Sequence, residues 1–310
     1  MGKISVIGAG NVGATAVYYI AEKSLGDIVV VDVVKGMPQS KGLDFLHAAP
    51  LREYKAHIFG TNSYAEIRSS DVVVLTAGVA RKPGMDRMDL LKINAGIARE
   101  AGRAIAEFAP ESVVLVVTNP LDVISTVVLR ATGFHRSKVV GMAGVLDTTR
   151  FRYFIAEELG VWPGDVQAMV LGGHGDTMVP LTRFATVGGV PLGDLLDKAT
   201  VERLVERTRN GGAEIVGLLK TGSAFYAPAA SVAKMVEAVV TDQKTLVPAA
   251  AFLEGEYGFD GIFLGVPVIL GGGGVERIVE LPLAEEEKEA LTRSAAAVRK
   301  GVEELDFVRE

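Results

Sequence analysis

The sequence contains no cysteine, which excludes disulfides, thiolate metal ligands and a cysteine nucleophile. It also lacks any run of basic residues, and its 32 Lys and Arg against 38 Asp and Glu leave a net charge of −6. Proteins that follow a phosphate backbone carry a basic patch or stripe. We therefore expect no nucleic-acid partner.

Long apolar runs are missing as well. No stretch of about 20 apolar residues is free of charge and glycine, so a membrane span is not expected. The opening residues MGKISVIG reach a glycine-rich segment too soon for the apolar region of a secretory signal. These absences predict a cytoplasmic protein with no membrane partner.

The first half of the chain alternates short β-branched runs with stretches of helical period. Apolar runs of this kind, without alternation, are typical of strands buried on both faces. Strand–helix alternation predicts βαβ units around a parallel sheet. The predicted strands cover residues 4–7, 28–31, 72–75, 113–117 and 138–140, and the clearest predicted helices cover residues 11–22 and 89–108.

The second half of the chain has a different order of predicted strands and helices. A predicted strand at 165–171 runs into a glycine-rich turn, and helical stretches follow. Pro282 and three glutamates give good start signals for a closing helix. The remaining predicted elements are helices near 195–219 and 231–240, apolar strands within 246–270, a turn at 271–274 and the closing helix at 283–305.

A glycine motif follows the first predicted strand and opens a helix. In such a motif the first glycine permits a tight turn, the second lets the backbone approach a pyrophosphate, and the third lets helix and strand pack closely. The helix N-terminus then favours phosphate. The motif reads Gly8, Ala9, Gly10, Asn11, Val12, Gly13.

Asp32 ends the second predicted strand, 19 residues after Gly13. A carboxylate at that place can accept both ribose hydroxyls of NAD and would repel the 2′-phosphate of NADP. The alternative is that Asp32 only caps a turn. Together with the glycine motif, it predicts NAD as the cofactor.

These elements predict an α/β protein with a Rossmann-type doubly wound parallel sheet, followed by an α+β catalytic domain. At roughly 100–200 residues per domain, the length of 310 residues also suggests two domains. We place the boundary at Met142, so that residues 1–142 form the NAD-binding domain and residues 143–310 the substrate-binding, catalytic domain.

His174 lies in the turn Leu-Gly-Gly-His-Gly-Asp just past a predicted strand. Little side-chain cover is expected there, and a histidine pKa near 6.5 suits reversible proton transfer. Asp147 and Arg150 are spaced to share one helical face. They could form an ordinary surface pair, or Asp147 could orient a protonated histidine while Arg150 binds a substrate carboxylate.

Two further segments follow predicted strands at the same sheet edge, where open α/β sheets bind ligands. Arg81 and Arg87 lie in a loop with glycine and proline, which predicts a ligand-covering lid or, alternatively, a solvated basic loop. Thr118-Asn119-Pro120 ends another strand. There, Asn119 could donate to a ligand oxygen or form an Asx turn before the proline.

In this order, the motifs resemble the lactate/malate dehydrogenase family along nearly the whole chain. The resemblance is closest to the malate dehydrogenases whose sequences lie near those of lactate dehydrogenases. The matching segments are residues 8–13, Asp32, residues 81–87, residues 118–122, residues 146–152 and residues 172–176.

The resemblance implies a role for each motif residue. His174 would accept the proton of the 2-hydroxyl, with Asp147 holding it. Arg150 would bind the C1 carboxylate, Arg87 would polarise the ketone oxygen and Asn119 would contact the substrate oxygen. The NAD contacts would come from residues 8–13 and from Asp32, Asn94, Val117, Thr118 and Asn119. No metal is implied, and the family forms homodimers or homotetramers.

Arg81 decides the substrate, because the family has glutamine at this position in lactate dehydrogenases and arginine in malate dehydrogenases. A second, partly buried carboxylate needs a cationic partner. The methyl group of pyruvate would leave Arg81 unpaired, which costs about 3–5 kcal/mol in a closed site and corresponds to discrimination of roughly 10²–10³. The small residues Gly222, Ser223 and Ala224 would leave room for the longer substrate.

The sequence therefore predicts an NAD-dependent malate dehydrogenase that oxidises (S)-malate to oxaloacetate. Two alternatives stay open. A lactate dehydrogenase would require Arg81 to point away from the site. A non-catalytic NAD-sensing protein could share the fold, although it would not need the proton-transferring residues.

Overall fold

The computed structural model describes residues 2–79 and 87–307, without the side chains of residues 87, 306 and 307. The strands are β1 (Gly2–Ile7), β2 (Gly26–Val31), β3 (Ile58–Thr61), β4 (Val72–Leu75), β5 (Val113–Val116), β6 (Val139–Gly141), β7 (Val166–Gln167), β8 (Val170–Leu171), β9 (Val179–Pro180), β10 (Thr186–Val187), β11 (Val190–Pro191), β12 (Thr245–Glu254), β13 (Asp260–Gly271) and β14 (Gly274–Ile278).

The α-helices are α1 (Asn11–Glu22), α2 (Met37–Arg52), α3 (Arg87–Phe108), α4 (Leu121–Thr132), α5 (Gly144–Leu159), α6 (Leu192–Leu195), α7 (Lys198–Leu219), α8 (Tyr226–Val240) and α9 (Glu285–Phe307). Short 3₁₀ turns lie at Tyr64–Ile67, Arg136–Lys138, Pro163–Asp165, Thr182–Phe184 and Glu256–Gly258. No helix in the described ranges is long and apolar enough to cross a membrane.

One large sheet organises the described chain, with strand order β14-β13-β12-β6-β5-β4-β1-β2-β3. Neighbours from β3 to β6 are parallel, whereas β12, β13 and β14 add an antiparallel extension. The strand order reverses between β1 and β4, as in doubly wound folds. The predicted fold class is confirmed.

The continuous apolar runs are explained by cores on both faces of the sheet. Along β4, Val72 and Val74 join one hydrophobic cluster, and Val73 and Leu75 join the other. Successive side chains of a strand point to opposite faces. Each residue therefore has to be apolar, and β4 matches its prediction at both ends.

The prediction of one strand at residues 165–171 is wrong. Val166–Gln167 pairs with β10, whereas Val170–Leu171 pairs with β9 in a separate sheet. Between them the chain turns away, and Met169 accepts a backbone bond from Leu181. Gln167 is the only polar residue between Val166 and Leu171, so periodicity alone could not reveal the break.

Other boundaries shift by a few residues. The predicted helix at 195–219 corresponds to α7, which begins three residues later at Lys198, where Asp197 caps it by accepting the N–H of Thr200 at 2.8 Å. The predicted helix at 231–240 begins earlier, at Tyr226. The chain passes from β6 to α5 around Met142, but the boundary there stays a prediction, because β12 pairs with β6 in the same sheet.

Helix α5 is anchored in a third hydrophobic cluster by Phe151, which is fully buried. Because α5 also carries Asp147 and Arg150, Phe151 fixes the helix on which two of the predicted site residues stand.

Truncating this anchor tests the packing. We expect Phe151→Ala to lower the free energy of unfolding by about 3–5 kcal/mol, because it leaves a large cavity in the core. Tyr153→Ala on the exposed face of the same helix should cost about 1 kcal/mol or less. Urea unfolding of both variants measures the difference, and equal losses would contradict the assigned burial.

Candidate active site

The glycine turn joins β1 to α1, and its glycines serve different purposes. A Cβ on Gly13 would lie 1.9 Å from the carbonyl oxygen of Gly8, so Gly13 is needed for the turn to pack against the helix. A Cβ on Gly10 would meet nothing within 4 Å. No described side chain caps the N-terminus of α1, which leaves its first N–H groups and open space for a phosphate.

Asp32 both caps a turn and contacts the glycine turn. Its Oδ1 accepts the N–H of Val34 at 2.9 Å, and its Oδ2 accepts the N–H of Ala9 at 2.7 Å. Each carboxylate oxygen retains capacity for a further donor such as a ribose hydroxyl. Lys41 of α2 donates to the carbonyl of Ala9, which places a cation at the turn that the sequence analysis missed.

His174 and Asp147 form a hydrogen-bonded pair. The Nδ1 of His174 lies 2.9 Å from Oδ2 of Asp147, whose side chain is only 2% exposed. Asp147 also accepts a bond from Nη1 of Arg150 at 3.2 Å. The structure brings these three side chains together around the buried carboxylate of Asp147, which is not the arrangement of an ordinary surface pair.

The pKa of His174 is set by opposing effects. Burial disfavours the charged imidazole, but the charge of Asp147 and its hydrogen bond favour it more, so the pKa is raised above its ordinary value. Arg150 works against this increase. The surroundings of His174 therefore favour the protonated imidazole.

A cleft of about 310 Å³ connects the glycine turn with this pair. Val12 lines it from the glycine turn, Val117 and Asn119 from the sheet edge, and Arg150 and His174 from the second half of the chain. The remaining lining comes from Met142, Leu146, Gly175, Asp176, Met178, Arg209, Gly212, Ala213, Val216, Ser223, Ala224 and Pro228. A dinucleotide seated on the glycine turn would reach His174 through this cleft, so the residues fit the predicted cofactor.

Asn94 holds backbone at the edge of the cleft. Its amide oxygen accepts the N–H of Val79 at 2.8 Å, and its amide nitrogen donates to the carbonyls of Val79 and Asn119. Thr118 likewise donates to the carbonyl of Ala77 at 2.8 Å. With the Asn94 amide bonded to protein, its predicted contact with NAD stays a prediction, and the geometry favours an indirect role.

The two arginines of the predicted lid are only partly covered by the described residues. Arg81 lies outside the described residues, and Arg87 begins α3 but its side chain is not described. Two features near the cleft escaped the sequence analysis. Arg209 lines it while donating to the carbonyl of Met178, and Gly212 of α7 lies beside the guanidinium of Arg150.

Asp122 lies behind His174, in the first turn of α4. Its Oδ2 accepts the backbone N–H of His174 at 3.2 Å, and its Oδ1 is buried without a hydrogen-bond partner among the described residues. Burial raises the pKa of this carboxyl from 3.8 to about 6. Its motif matched the family, but no signal in the sequence pointed to this contact.

One cleft connects a glycine turn that leaves space for a phosphate with a carboxylate–histidine pair. These features together define a dinucleotide-dependent dehydrogenase. Residues 2–141 match the family model described as lactate/malate dehydrogenase, NAD binding domain. Residues 144–306 match the model described as lactate/malate dehydrogenase, alpha/beta C-terminal domain. The chain belongs to the lactate/malate dehydrogenase family, which confirms the resemblance and NAD as the cofactor.

Curated relatives and solved structures agree with this assignment. A malate dehydrogenase of Methanosarcina barkeri is 56% identical over 307 residues, covering 99% of this chain and 100% of the relative. The apo malate dehydrogenase of Picrophilus torridus superposes with a TM-score of 0.96 at 47% identity, covering 99% and 98% of the two chains. A lactate dehydrogenase of Cryptosporidium parvum, complexed with lactic acid and NAD, gives 0.95 at 42%, covering 98% of each.

The two glycines of the turn should separate folding from cofactor binding. Gly13→Ala forces a backbone clash and should lower the free energy of unfolding by about 3 kcal/mol. Gly10→Ala should change it by about 1 kcal/mol or less while weakening NADH binding about tenfold or more. Thermal unfolding and a fluorescence titration with NADH measure both, and equal effects of the two variants would contradict these roles.

The buried carboxyl of Asp122 should make stability depend on pH. Its pKa is raised in the folded state, so the charged form costs stability above about pH 6, and the cost disappears as pH falls below the ordinary value of 3.8. We expect Asp122→Asn to be more stable by about 3 kcal/mol at pH 8 and by about a third of that at pH 4.5. Urea unfolding at both pH values checks this. A gain that is the same at both would show that Asp122 is not the titrating group.

Proposed function

We propose that this chain is an NAD-dependent malate dehydrogenase that interconverts (S)-malate and oxaloacetate. The observation that carries the proposal is the buried Asp147–His174 pair, with Arg150 beside it, in the cleft reached by the glycine turn. Relatives that are 50–56% identical are malate dehydrogenases, which supports the choice of substrate.

His174 exchanges the proton of the 2-hydroxyl in this proposal. Its Nδ1–H donates to the carboxylate of Asp147, which leaves Nε2 as the nitrogen that takes the hydroxyl proton during oxidation and returns it during reduction. Asp147 fixes this tautomer and stabilises the charged ring. Bound NAD supplies the hydride acceptor in one direction and the donor in the other.

Arg150 binds the C1 carboxylate of the substrate. Its Nη1 is held by Asp147, and its guanidinium lies against Gly212 in the cleft, so its other N–H groups can grip a carboxylate. The orientation of Arg150 and His174 relative to each other is thus set by one shared partner, Asp147. A substrate bound to Arg150 then has its second carbon placed for proton exchange with His174.

The two ends of the substrate would be bound by opposite sides of the site. We propose that Arg81 pairs with the second carboxylate of malate, and that Arg87 polarises the ketone oxygen when the segment carrying both closes over the cleft. Ser223 and Ala224 line the cleft, and their small size supports a longer substrate than pyruvate.

A lactate dehydrogenase is the second candidate, because a solved lactate dehydrogenase matches this fold almost as well as the malate dehydrogenases do. The backbone therefore does not discriminate between the two substrates. Arg81 does, since a cation in the closed site favours a dicarboxylate.

Exchanging the selector tests the substrate directly. We expect the parent to oxidise NADH far faster with oxaloacetate than with pyruvate, and Arg81→Gln to reduce that ratio of kcat/KM by roughly 10²–10³. Lys82→Gln removes the neighbouring cation and should leave the ratio unchanged. A parent that prefers pyruvate would make the chain a lactate dehydrogenase, and NADH binding without turnover would favour an NAD-sensing protein.

We also propose a homodimer or homotetramer and a cytoplasmic location. Apolar side chains exposed on the single chain support the first, among them Trp162 at 73%, Leu218 at 78% and Tyr226 at 65%. A symmetric interface would cover such residues.

A further inference from the structure

The turn that carries His174 separates two clefts. The catalytic cleft lies on one side, and a second cleft of about 310 Å³ lies on the other, between the turn, α4 and α9. Both clefts share His174, Gly175 and Asp176. Groups that bond to the back of this turn therefore act on the same backbone that carries the imidazole.

Two consecutive backbone N–H groups of this turn donate hydrogen bonds to side chains of α9 and α4. The N–H of Gly173 donates to Oγ of Ser294 at 2.8 Å, and the N–H of His174 donates to Oδ2 of Asp122 at 3.2 Å. Ser294 is neutral, whereas Asp122 brings a carboxylate. Because Oδ1 of Asp122 has no partner among the described residues, its charge is poorly satisfied locally.

Among the described residues, few charged groups surround Asp122. Across the turn stand His174 and Asp176, and α5 contributes Asp147 and, bonded to it, Arg150. Helix α9 lines the cleft with Ala297, Val298 and Gly301, and β13 meets the turn with Gly265, all without charge. Asp176 is exposed, so water screens it.

We propose that Asp122 is a positioning residue for His174: it fixes the backbone of the turn and, as a second carboxylate behind Asp147, favours the protonated imidazole. The inference rests on the proposed function, since it gives that proton a use. The geometry supports it through the direct bond to the His174 amide, and the charge of Asp122 raises the pKa of His174.

The arrangement explains why a costly group is present. A buried carboxylate with one oxygen that no described residue bonds destabilises the fold at neutral pH, and an amide of the same shape would accept the same N–H. What the amide could not do is place a negative charge behind the histidine. A group that lowers the stability of the fold and shifts the pKa of a neighbouring side chain is typical of a functional site.

The first experiment measures the titration of His174 without relying on activity. With only four histidines in the chain, ¹³Cε1-labelled histidine gives a resolved spectrum, and His174→Gln assigns the signal. We expect Asp122→Asn to lower the pKa of His174 in the same direction as Asp147→Asn. Ser294→Ala removes the neighbouring anchor without a change of charge and should leave the pKa unchanged.

Two outcomes would overturn the proposal. An unchanged His174 titration in Asp122→Asn, with a lowered one in Asp147→Asn, would remove the electrostatic role. Equal shifts in Asp122→Asn and Ser294→Ala would show that turn geometry, not charge, sets the titration. Because Asp122→Asn removes a buried charge and keeps the acceptor, it should fold.

The second experiment uses the reaction and separates failure of the inference from failure of the proposed function. Oxaloacetate reduction needs protonated His174, so its kcat/KM falls as pH rises through the pKa, and in Asp122→Asn this fall should begin at lower pH. Asp122→Ala, which also removes the acceptor, should lose a further five- to tenfold in kcat/KM. Absence of parent activity would refute the function alone, whereas parent-like profiles in both variants would refute the role of Asp122.

Discussion

The hydrogen bond between Nδ1 of His174 and the carboxylate of Asp147 is the interaction on which the site depends. It joins the turn after β8 to α5, and the carboxylate of Asp147 is buried whereas His174 is partly open to the cleft. Arg150 shares the same carboxylate. The buried carboxylate of Asp147 therefore orients both the imidazole of His174 and the guanidinium of Arg150, the proposed substrate-binding group.

The sheet supplies the other half of the geometry. Parallel strands end at one edge, so the turn after β1 and the segment after β5 meet there, and the cleft runs from Val12 past Asn119 to His174. Buried polar side chains at this edge, such as Asn94, are bonded to backbone carbonyls rather than left open. The fold thus preorganises the sheet edge that lines the cleft. The charged groups lie at the other end of the cleft, around His174 and Arg150.

The predictions from sequence were best where one local rule decides. Helix α1 and strand β4 match their predicted limits, because a glycine turn and an uninterrupted apolar run define them. The strand predicted at 165–171 fails because its break is set by partners elsewhere in the chain. Asp122 is 52 residues from His174, and Lys41 meets the glycine turn only through the packing of α2, so neither contact leaves a local pattern. Family resemblance suggested the roles of Asp147 and His174, whereas spacing placed only Asp147 and Arg150 together.

The most direct test of the central claim is proton uptake when the unreactive dicarboxylate hydroxymalonate binds to the complex with NADH. Calorimetry in buffers of different ionisation enthalpy, above the pKa of His174, gives the number of protons taken up. If the Asp147–His174 pair holds the reacting proton, the parent should take up about one proton per chain and His174→Gln none. Equal uptake by both proteins would contradict the claim that His174 is the proton-exchanging group.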